Sequence, residues 1–167
     1  MKKPLKYRPA TLQSGFTYVG LLFFLFVIAL SSLAVVQTAS LVARRAAEQE
    51  LLFIGREFSI AFRTYYLNTP AGQRRYPNSL QDLLRDARTP EVSRHLRRLY
   101  ADPLTGKSTW GLVEAPEGGI MGVHSLSQET PIKIGNFDVD QTGFDNAESY
   151  ADWIFYYSPT ALSSRKK

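Results

Sequence analysis

The feature that most constrains the fold is a long stretch without any charged residue, from Pro9 to Ala43. Within it, the 21 residues from Phe16 to Val36 are mostly Leu, Phe, Val and Ile. As a helix with a rise of about 1.5 Å per residue, this run would extend roughly 30 Å, the hydrocarbon thickness of a bilayer. A helix in a soluble core is seldom apolar on every side over this length. The run therefore predicts a single-pass transmembrane helix.

The charges on either side of the run predict its orientation. Four basic residues and no acidic one precede it in residues 1–15, whereas Glu48 and Glu50 balance the arginines that follow it. The positive-inside bias then places the N-terminus in the cytoplasm and the C-terminal domain beyond the membrane. A cleaved secretory signal is the alternative, but its apolar run is typically about 7–15 residues, shorter than this one.

The helical pattern continues beyond the apolar run. After Ala43, apolar residues recur every three or four positions, which places them on one helix face; they are Ala47, Leu51, Ile54, Phe58, Ala61, Phe62 and Tyr65. No proline occurs between Pro9 and Pro70. We therefore expect one helix from about Phe16 to Leu67, with a transmembrane half (16–43) and an amphipathic half (44–67).

The net charge of +5 gives little support for nucleic-acid binding. Of the 20 basic residues, four lie in residues 1–15 and three in the tail 163–167, leaving 13 between them against all 15 acidic residues. The body of the chain is therefore close to neutral, and nucleic acid is an unlikely partner. The absence of cysteine excludes disulfides and thiol chemistry.

A short motif joins the basic leader to the apolar run: Ser14-Gly15-Phe16-Thr17. With the basic leader before it and a helix after it that is first apolar and then amphipathic, this region resembles the N-terminus of the type IV pilin and type II secretion pseudopilin superfamily. The resemblance implies that a prepilin peptidase cuts between Gly15 and Phe16 and N-methylates Phe16. It also implies residence in the bacterial inner membrane, in contact with lipid, with the C-terminal domain in the periplasm.

The resemblance further implies assembly as the function. The chain would join other pseudopilins in a short periplasmic pseudopilus for protein export, built by a platform protein and an ATPase, and would contact secreted cargo. The alternatives are a minor pilin of a type IV pilus, for adhesion, motility or DNA uptake, and a non-polymerising membrane-anchored binding module. No enzyme is expected, because neither a P-loop nor zinc-ligand spacing is present.

Gly20 departs from the family pattern, which usually has Glu at the fifth mature position. In a filament, that carboxylate would offset the cost of burying a charged N-terminus in apolar surroundings. Gly20 cannot do so, and the family's tip subunit characteristically lacks this Glu. We therefore expect a minor or tip-associated subunit.

Residues 68–162 predict a globular α+β domain, followed by the basic tail 163–167. Short helices are expected after Pro77-Asn78-Ser79 and over Val92–Leu99. Turns are expected at Asp102–Gly106 and, between the first two of four short strands, at Pro116–Gly119. The strands are expected at Ser108–Val113, Ile120–Leu126, Ile132–Phe137 and Trp153–Tyr157. A long helix packed on a small antiparallel sheet matches the pilin-like fold.

An acidic loop near the C-terminus suggests a metal site. Oxygen-bearing side chains stand at alternate positions before Gly143, beginning with Asp138 and Asp140, and Asp145 follows it, which resembles the opening of a calcium loop. Major pseudopilins bind calcium in a loop at a comparable place. We therefore treat these three aspartates as candidate calcium ligands; a solvated acidic loop is the alternative.

Overall fold

The computed structural model describes residues 14–69, 72–88, 93–138, 141 and 143–159; for residues 14–16 and 30–38 it describes the backbone alone. The chain divides into two compact units, and the boundary lies between Ala43 and Arg44. The secondary structure combines helix with a small antiparallel sheet, which confirms the α+β class.

Helix α1 is the dominant element and extends over Ser14–Leu67, 54 residues. Its end at Leu67 agrees with the prediction, and the amide of Asn68 still donates to the carbonyl oxygen of Thr64 at 2.9 Å. In the second unit, the predicted apolar stripe is the face of α1 that is buried. The side chains of Leu51, Phe58 and Phe62 are completely buried in it.

The predicted single-pass membrane anchor is wrong. A spanning helix needs about 20 consecutive, predominantly apolar residues. No helix in the described parts of the chain is long and apolar enough to meet this requirement. The assignment to the inner membrane, with a cytoplasmic N-terminus and a periplasmic C-terminal domain, rested on that anchor and is corrected with it.

The sheet of the second unit has three antiparallel strands in the order β1-β2-β3. They are β1 (Gly111–Glu114), β2 (Ile120–His124) and β3 (Phe155–Tyr156). The turn between β1 and β2 forms as predicted, with the amide of Ala115 donating to the carbonyl oxygen of Gly119 at 2.8 Å. Gly118 and Gly119 have φ values of +90° and +83°, a region that favours glycine.

Two of the predicted elements are absent from the described residues. The segment 132–137 is not a strand, because the amides of Ile132 and Lys133 donate to the Glu48 carboxylate instead of to a neighbouring strand. The described part of Val92–Leu99 is not helical either. There, the amides of His95 and Leu96 both donate to the carbonyl oxygen of Leu83, which ties this segment to helix α2 (Gln81–Leu84).

The core lies between the buried stripe of α1 and the sheet. Aromatic side chains fill much of it: Phe58 packs edge-on to Trp110, with ring centroids 5.2 Å apart, and Phe144 stacks on Trp153 at 5.4 Å. Gly55 allows the closest approach of α1 to β3, since a Cβ atom there would lie 2.1 Å from the Phe155 ring. A short 3-10 helix, Tyr150–Asp152, precedes β3.

Candidate functional site

The candidate processing site lies at the start of α1. The helix begins at Ser14, so the peptide bond between Gly15 and Phe16 lies within its first turn. The backbone there is regular helix. Cleavage at this bond and methylation of Phe16 stay predictions from the resemblance.

Apolar side chains just after this site are exposed around the whole helix. Residues 17–29 are all exposed, and the large apolar ones among them range from 42% (Val27) to 67% (Phe23) of their full accessible area. Thirteen consecutive residues at 100° per residue cover every side of a helix. Contiguous exposed apolar surface of this kind marks a site of interaction. We call residues 17–29 the apolar segment.

Gly20 lies within the apolar segment and leaves open space around it. A Cβ atom at this position would have no neighbouring atom within 4 Å. The fold of the single chain therefore gives no steric reason for glycine here. A longer side chain, including Glu, would fit.

A buried carboxylate of α1 holds the C-terminal part of the second unit. Glu48 is 5% exposed, and its Oε2 accepts hydrogen bonds from the amides of Ile132 and Lys133 at 2.8 and 3.1 Å and from the Tyr150 hydroxyl at 2.8 Å. These three donors satisfy a charge that would otherwise be costly to bury. Burial and this hydrogen bond raise the pKa of Tyr150 to about 12.

One turn earlier, Arg44 supports the same segment. Its Nη2 donates to the carbonyl oxygen of Thr130 at 2.7 Å, and its Nε lies 3.0 Å from Glu129 Oε2. The side chains of Arg44 and Glu129 are 38% and 64% exposed, so this ion pair contributes little by itself. Together with Glu48, it defines where residues 129–133 meet the helix.

A second buried polar cluster lies at the C-terminal end of α1. Asp86 is 1% exposed and accepts from Arg88 Nε at 2.8 Å and Nη2 at 2.7 Å, a two-pronged charged pair. His95 Nε2 lies 3.1 Å from Asp86 Oδ2. Arg88 Nη2 also donates to the carbonyl oxygen of Tyr65 in the last turn of α1, where a cation is favourable.

The charges in this cluster shift its pKa values in opposite directions. Hydrogen bonds from Arg88 lower the pKa of Asp86 well below its ordinary value, despite the burial that acts against them. The same hydrogen bonds raise the pKa of Arg88. Burial raises the pKa of Tyr65, whose ring lies under the Arg88 guanidinium at 3.5 Å. The cluster is built to stay charged, which suits a structural clamp at the helix end.

The stretch Asp102-Pro103-Leu104-Thr105-Gly106 forms a turn, as its composition predicts. Asp102 is completely buried and accepts from the Leu104 amide at 2.9 Å, the Thr105 hydroxyl at 3.0 Å and the Ser125 hydroxyl at 2.8 Å. The Ser125 bond joins the turn to the residue that follows β2. This turn is therefore a structural connection.

Ser125 and His124 do not form a nucleophile and base. The Ser125 hydroxyl donates to Asp102, and the His124 Nδ1 lies 2.9 Å from the backbone carbonyl oxygen of Ser125. A serine nucleophile would need its hydroxyl within reach of the imidazole.

The candidate calcium ligands lie partly outside the described residues. Asp138 is described and forms an exposed ion pair with Arg56 of α1, Asp145 is described and exposed, and Asp140 is not described. Within the described residues, no group of three or more His, Asp or Glu side chains could hold a metal ion. Calcium binding by these three aspartates stays a prediction.

Sequence reasoning missed the roles of Glu48 and Asp86. Position 48 shares the three-to-four spacing of the apolar stripe, since Leu51 follows three residues later, and this spacing could have indicated burial. Asp86 and Arg88 are close in sequence, but nothing local connects them with His95.

Comparisons of this chain with protein-family models, with curated proteins and with solved structures found no match.

Proposed function

We propose that this chain is a pseudopilin of a type II secretion system, cleaved after Gly15 and assembled through helix α1 with other pseudopilins for protein export. Its fold would be pilin-like, with the second half of α1 lying on the sheet. A prepilin peptidase, a platform protein, an assembly ATPase and secreted cargo would be its partners. Its role would be mechanical, without catalysis.

The observation that carries the proposal is the junction at residues 14–17. A basic leader ends there, the Gly-Phe-Thr motif follows, and 54 residues of helix begin at Ser14. The apolar segment supports assembly in particular. Its exposed side chains would lose contact with water if helices of other subunits packed around them, and burial of apolar surface is worth roughly 25 cal/mol per Å².

Gly20 supports a minor or tip-associated position. A subunit with no neighbour ahead of it needs no carboxylate to offset a neighbour's charged N-terminus. Because Gly20 has open space around it, Gly20→Glu should fold and be processed normally. If the subunit occupies the tip, this change should alter its placement, and the wild-type protein should be scarce along the filament length. Labelling the protein in isolated filaments measures its position and its abundance along the filament.

Intact-mass spectrometry of the full chain, expressed with and without a prepilin peptidase, tests the processing step. We expect a product that lacks residues 1–15 and carries one added methyl group, formed only with the peptidase. Gly15→Val should block cleavage, because a branched side chain crowds the scissile bond, whereas the matched Gly20→Ala should be processed. An intact chain in both expressions contradicts the proposal and favours a non-polymerising binding module.

A further inference from the structure

Two arginines outside the clusters described above are held side by side by the backbone. Asp86 and Ser93 form an antiparallel bridge, in which the Asp86 amide donates to the Ser93 carbonyl oxygen at 2.9 Å. In such a bridge, the residue before one partner lies opposite the residue after the other, which brings Arg85 opposite Arg94. The Cβ atoms of opposite residues are about 5 Å apart. We call Arg85 and Arg94 the arginine pair.

The arginine pair faces solvent. Successive residues of an extended chain point to opposite sides, so the arginine pair points away from the side on which Asp86 is buried. Both arginines are exposed, and in the described part of the chain neither of them forms an ion pair. The described acidic side chains on either side of Arg85 in the sequence are engaged elsewhere: Asp82 accepts from two backbone amides, and Asp86 accepts from Arg88.

The backbone on both sides of the arginine pair is fixed by hydrogen bonds. Arg85 caps helix α2, and its amide donates back to the first residue of that helix at 3.2 Å. Arg94 stands between Ser93 of the bridge and His95, whose amide donates to the carbonyl oxygen of Leu83 at 2.9 Å. A site whose backbone is already ordered loses less conformational entropy when a partner binds.

Holding two like charges opposite each other is unfavourable for the free protein. Like charges at opposite positions destabilise a pair of extended segments, and the exposed Arg97 and Arg98 add further positive charge soon after Arg94. An anionic group bound between the guanidinium groups would replace this repulsion with attraction. The planar guanidinium matches a carboxylate through two parallel hydrogen bonds. The arginine pair therefore has the chemistry of a binding site for an acidic partner.

The surroundings of the arginine pair favour protein carboxylates over nucleic acid and lipid. Proteins that bind single-stranded nucleic acid combine basic groups with aromatic rings on which bases stack, but the ring of Tyr100 already lies under the Arg98 guanidinium at 5.0 Å. Lipid surfaces are bound by basic side chains together with exposed apolar ones. Among the described residues, no large exposed apolar side chain lies between Leu67 and Leu112 in the sequence.

We propose that the arginine pair is a docking site for an acidic segment of a different protein, bound through Asp or Glu carboxylates. Charge complementarity defines the chemistry of the partner, and the fixed backbone defines where its carboxylates bind. The inference goes beyond the proposed function, which assigns no surface of the second unit to a partner, and it does not depend on cleavage after Gly15.

Fluorescence anisotropy of labelled hexaglutamate, titrated with the full chain in about 0.1 M salt, tests the site. The double variant Arg85→Gln and Arg94→Gln should bind hexaglutamate at least about tenfold more weakly than the wild type, because two charged hydrogen-bond donors are lost. The matched control, Arg45→Gln and Arg63→Gln, removes the same charge from two exposed arginines of α1 that lie about 27 Å apart along the helix. Its affinity should change less than about twofold, because salt screens charges this far apart.

The stability of the free protein separates a binding role from a structural one. Arg94→Gln should keep or raise the denaturation midpoint, because it removes a repulsion, and a midpoint below that of the wild type would overturn the proposal. Three binding results would also overturn it: no measurable binding of hexaglutamate, equal losses of affinity in the two double variants, or tighter binding of a thymidine hexanucleotide or of phosphatidylglycerol vesicles through the arginine pair. None of these results depends on cleavage after Gly15, so this inference and the proposed function can fail independently.

Discussion

At the residue scale, Glu48 connects α1 with two distant parts of the second unit. Its Oε2 accepts from the amides of Ile132 and Lys133 and from the Tyr150 hydroxyl. Each of these donors is a group that would lose its partner if the carboxylate were removed, and an unsatisfied buried donor costs about 1–3 kcal/mol. One side chain of the helix therefore determines the path of residues 132–133, which sequence patterning assigns to a strand.

Removing this carboxylate should destabilise the protein substantially. We expect Glu48→Ala to lower the free energy of unfolding by about 3 kcal/mol, because water reaches the three donors only in part. Denaturant unfolding followed by the fluorescence of Trp110 and Trp153 measures the change. Glu117→Ala, at an exposed position, is the control and should change stability by less than about 0.5 kcal/mol. Equal stability of the two variants would contradict this account.

Asp86 should contribute stability that depends on pH. Its pKa is lowered from 3.8 by Arg88, so the contribution is fully present above about pH 4 and is lost as the pH falls. Asp86→Asn leaves the half-buried Arg88 without its charged partner and should cost about 3 kcal/mol at neutral pH, the lower end of the range for breaking a buried ion pair. Below pH 4, the difference between the wild type and the variant should shrink.

Acid-unfolding curves of both proteins check this prediction. Asp145→Asn, an exposed aspartate measured without calcium, serves as the control and should follow the wild type over the whole range. A gap between wild type and Asp86→Asn that stays constant down to pH 2 would show that the Asp86 charge is not responsible.

At the element scale, the contact between α1 and β3 depends on one glycine. Glycine inside a helix costs roughly 0.5–1 kcal/mol relative to alanine, so its presence at position 55 needs a reason. The reason is Phe155, whose ring lies where a Cβ atom would be. The helix and the strand can pack this closely only because residue 55 has no side chain.

Gly55→Ala should therefore destabilise the protein, although alanine is the better helix former. We expect a loss of about 1–3 kcal/mol from overpacking against Phe155. Gly20→Ala is the matched control in the same helix, with nothing within 4 Å of the new Cβ atom, and should not destabilise. Thermal unfolding compares the stabilities of the two variants. A Gly55→Ala variant as stable as Gly20→Ala would mean that the helix and strand can separate at little cost.

The elements also differ in how far sequence patterns could predict them. Periodicity predicted α1 and its buried stripe, because spacing and burial are local properties of a helix. The turns at Asp102–Gly106 and Pro116–Gly119 could also be predicted, from their composition. Residues 132–137 and 93–99 were not, because their backbone amides bond to Glu48 and to the Leu83 carbonyl oxygen, partners far away in sequence or outside any repeating pattern.

At the scale of the whole molecule, burial is confined to one of the two units. Among the described residues, every buried side chain lies at Glu48 or beyond it. The sequence pattern changes at the same place, because the uncharged run ends at Ala43 and an amphipathic pattern follows it. The two apolar stretches differ in burial: the stripe packs on the sheet, while the side chains of residues 17–29 are exposed.

The boundary between the units leads to a prediction about truncation. A chain that starts at Arg44 keeps Glu48 and the whole buried stripe, so its denaturation midpoint should equal that of the full protein. A chain that starts at Leu51 is only seven residues shorter but lacks Glu48 and Arg44. The amides of Ile132 and Lys133 and the Tyr150 hydroxyl then lose their acceptor, and the midpoint should fall by an amount similar to that in Glu48→Ala. Tryptophan fluorescence during denaturant unfolding measures the midpoints of both truncated chains. A large loss already at Arg44 would mean that residues 1–43 contribute to the stability of the second unit, and equal midpoints for both truncations would mean that the Glu48 contacts contribute little.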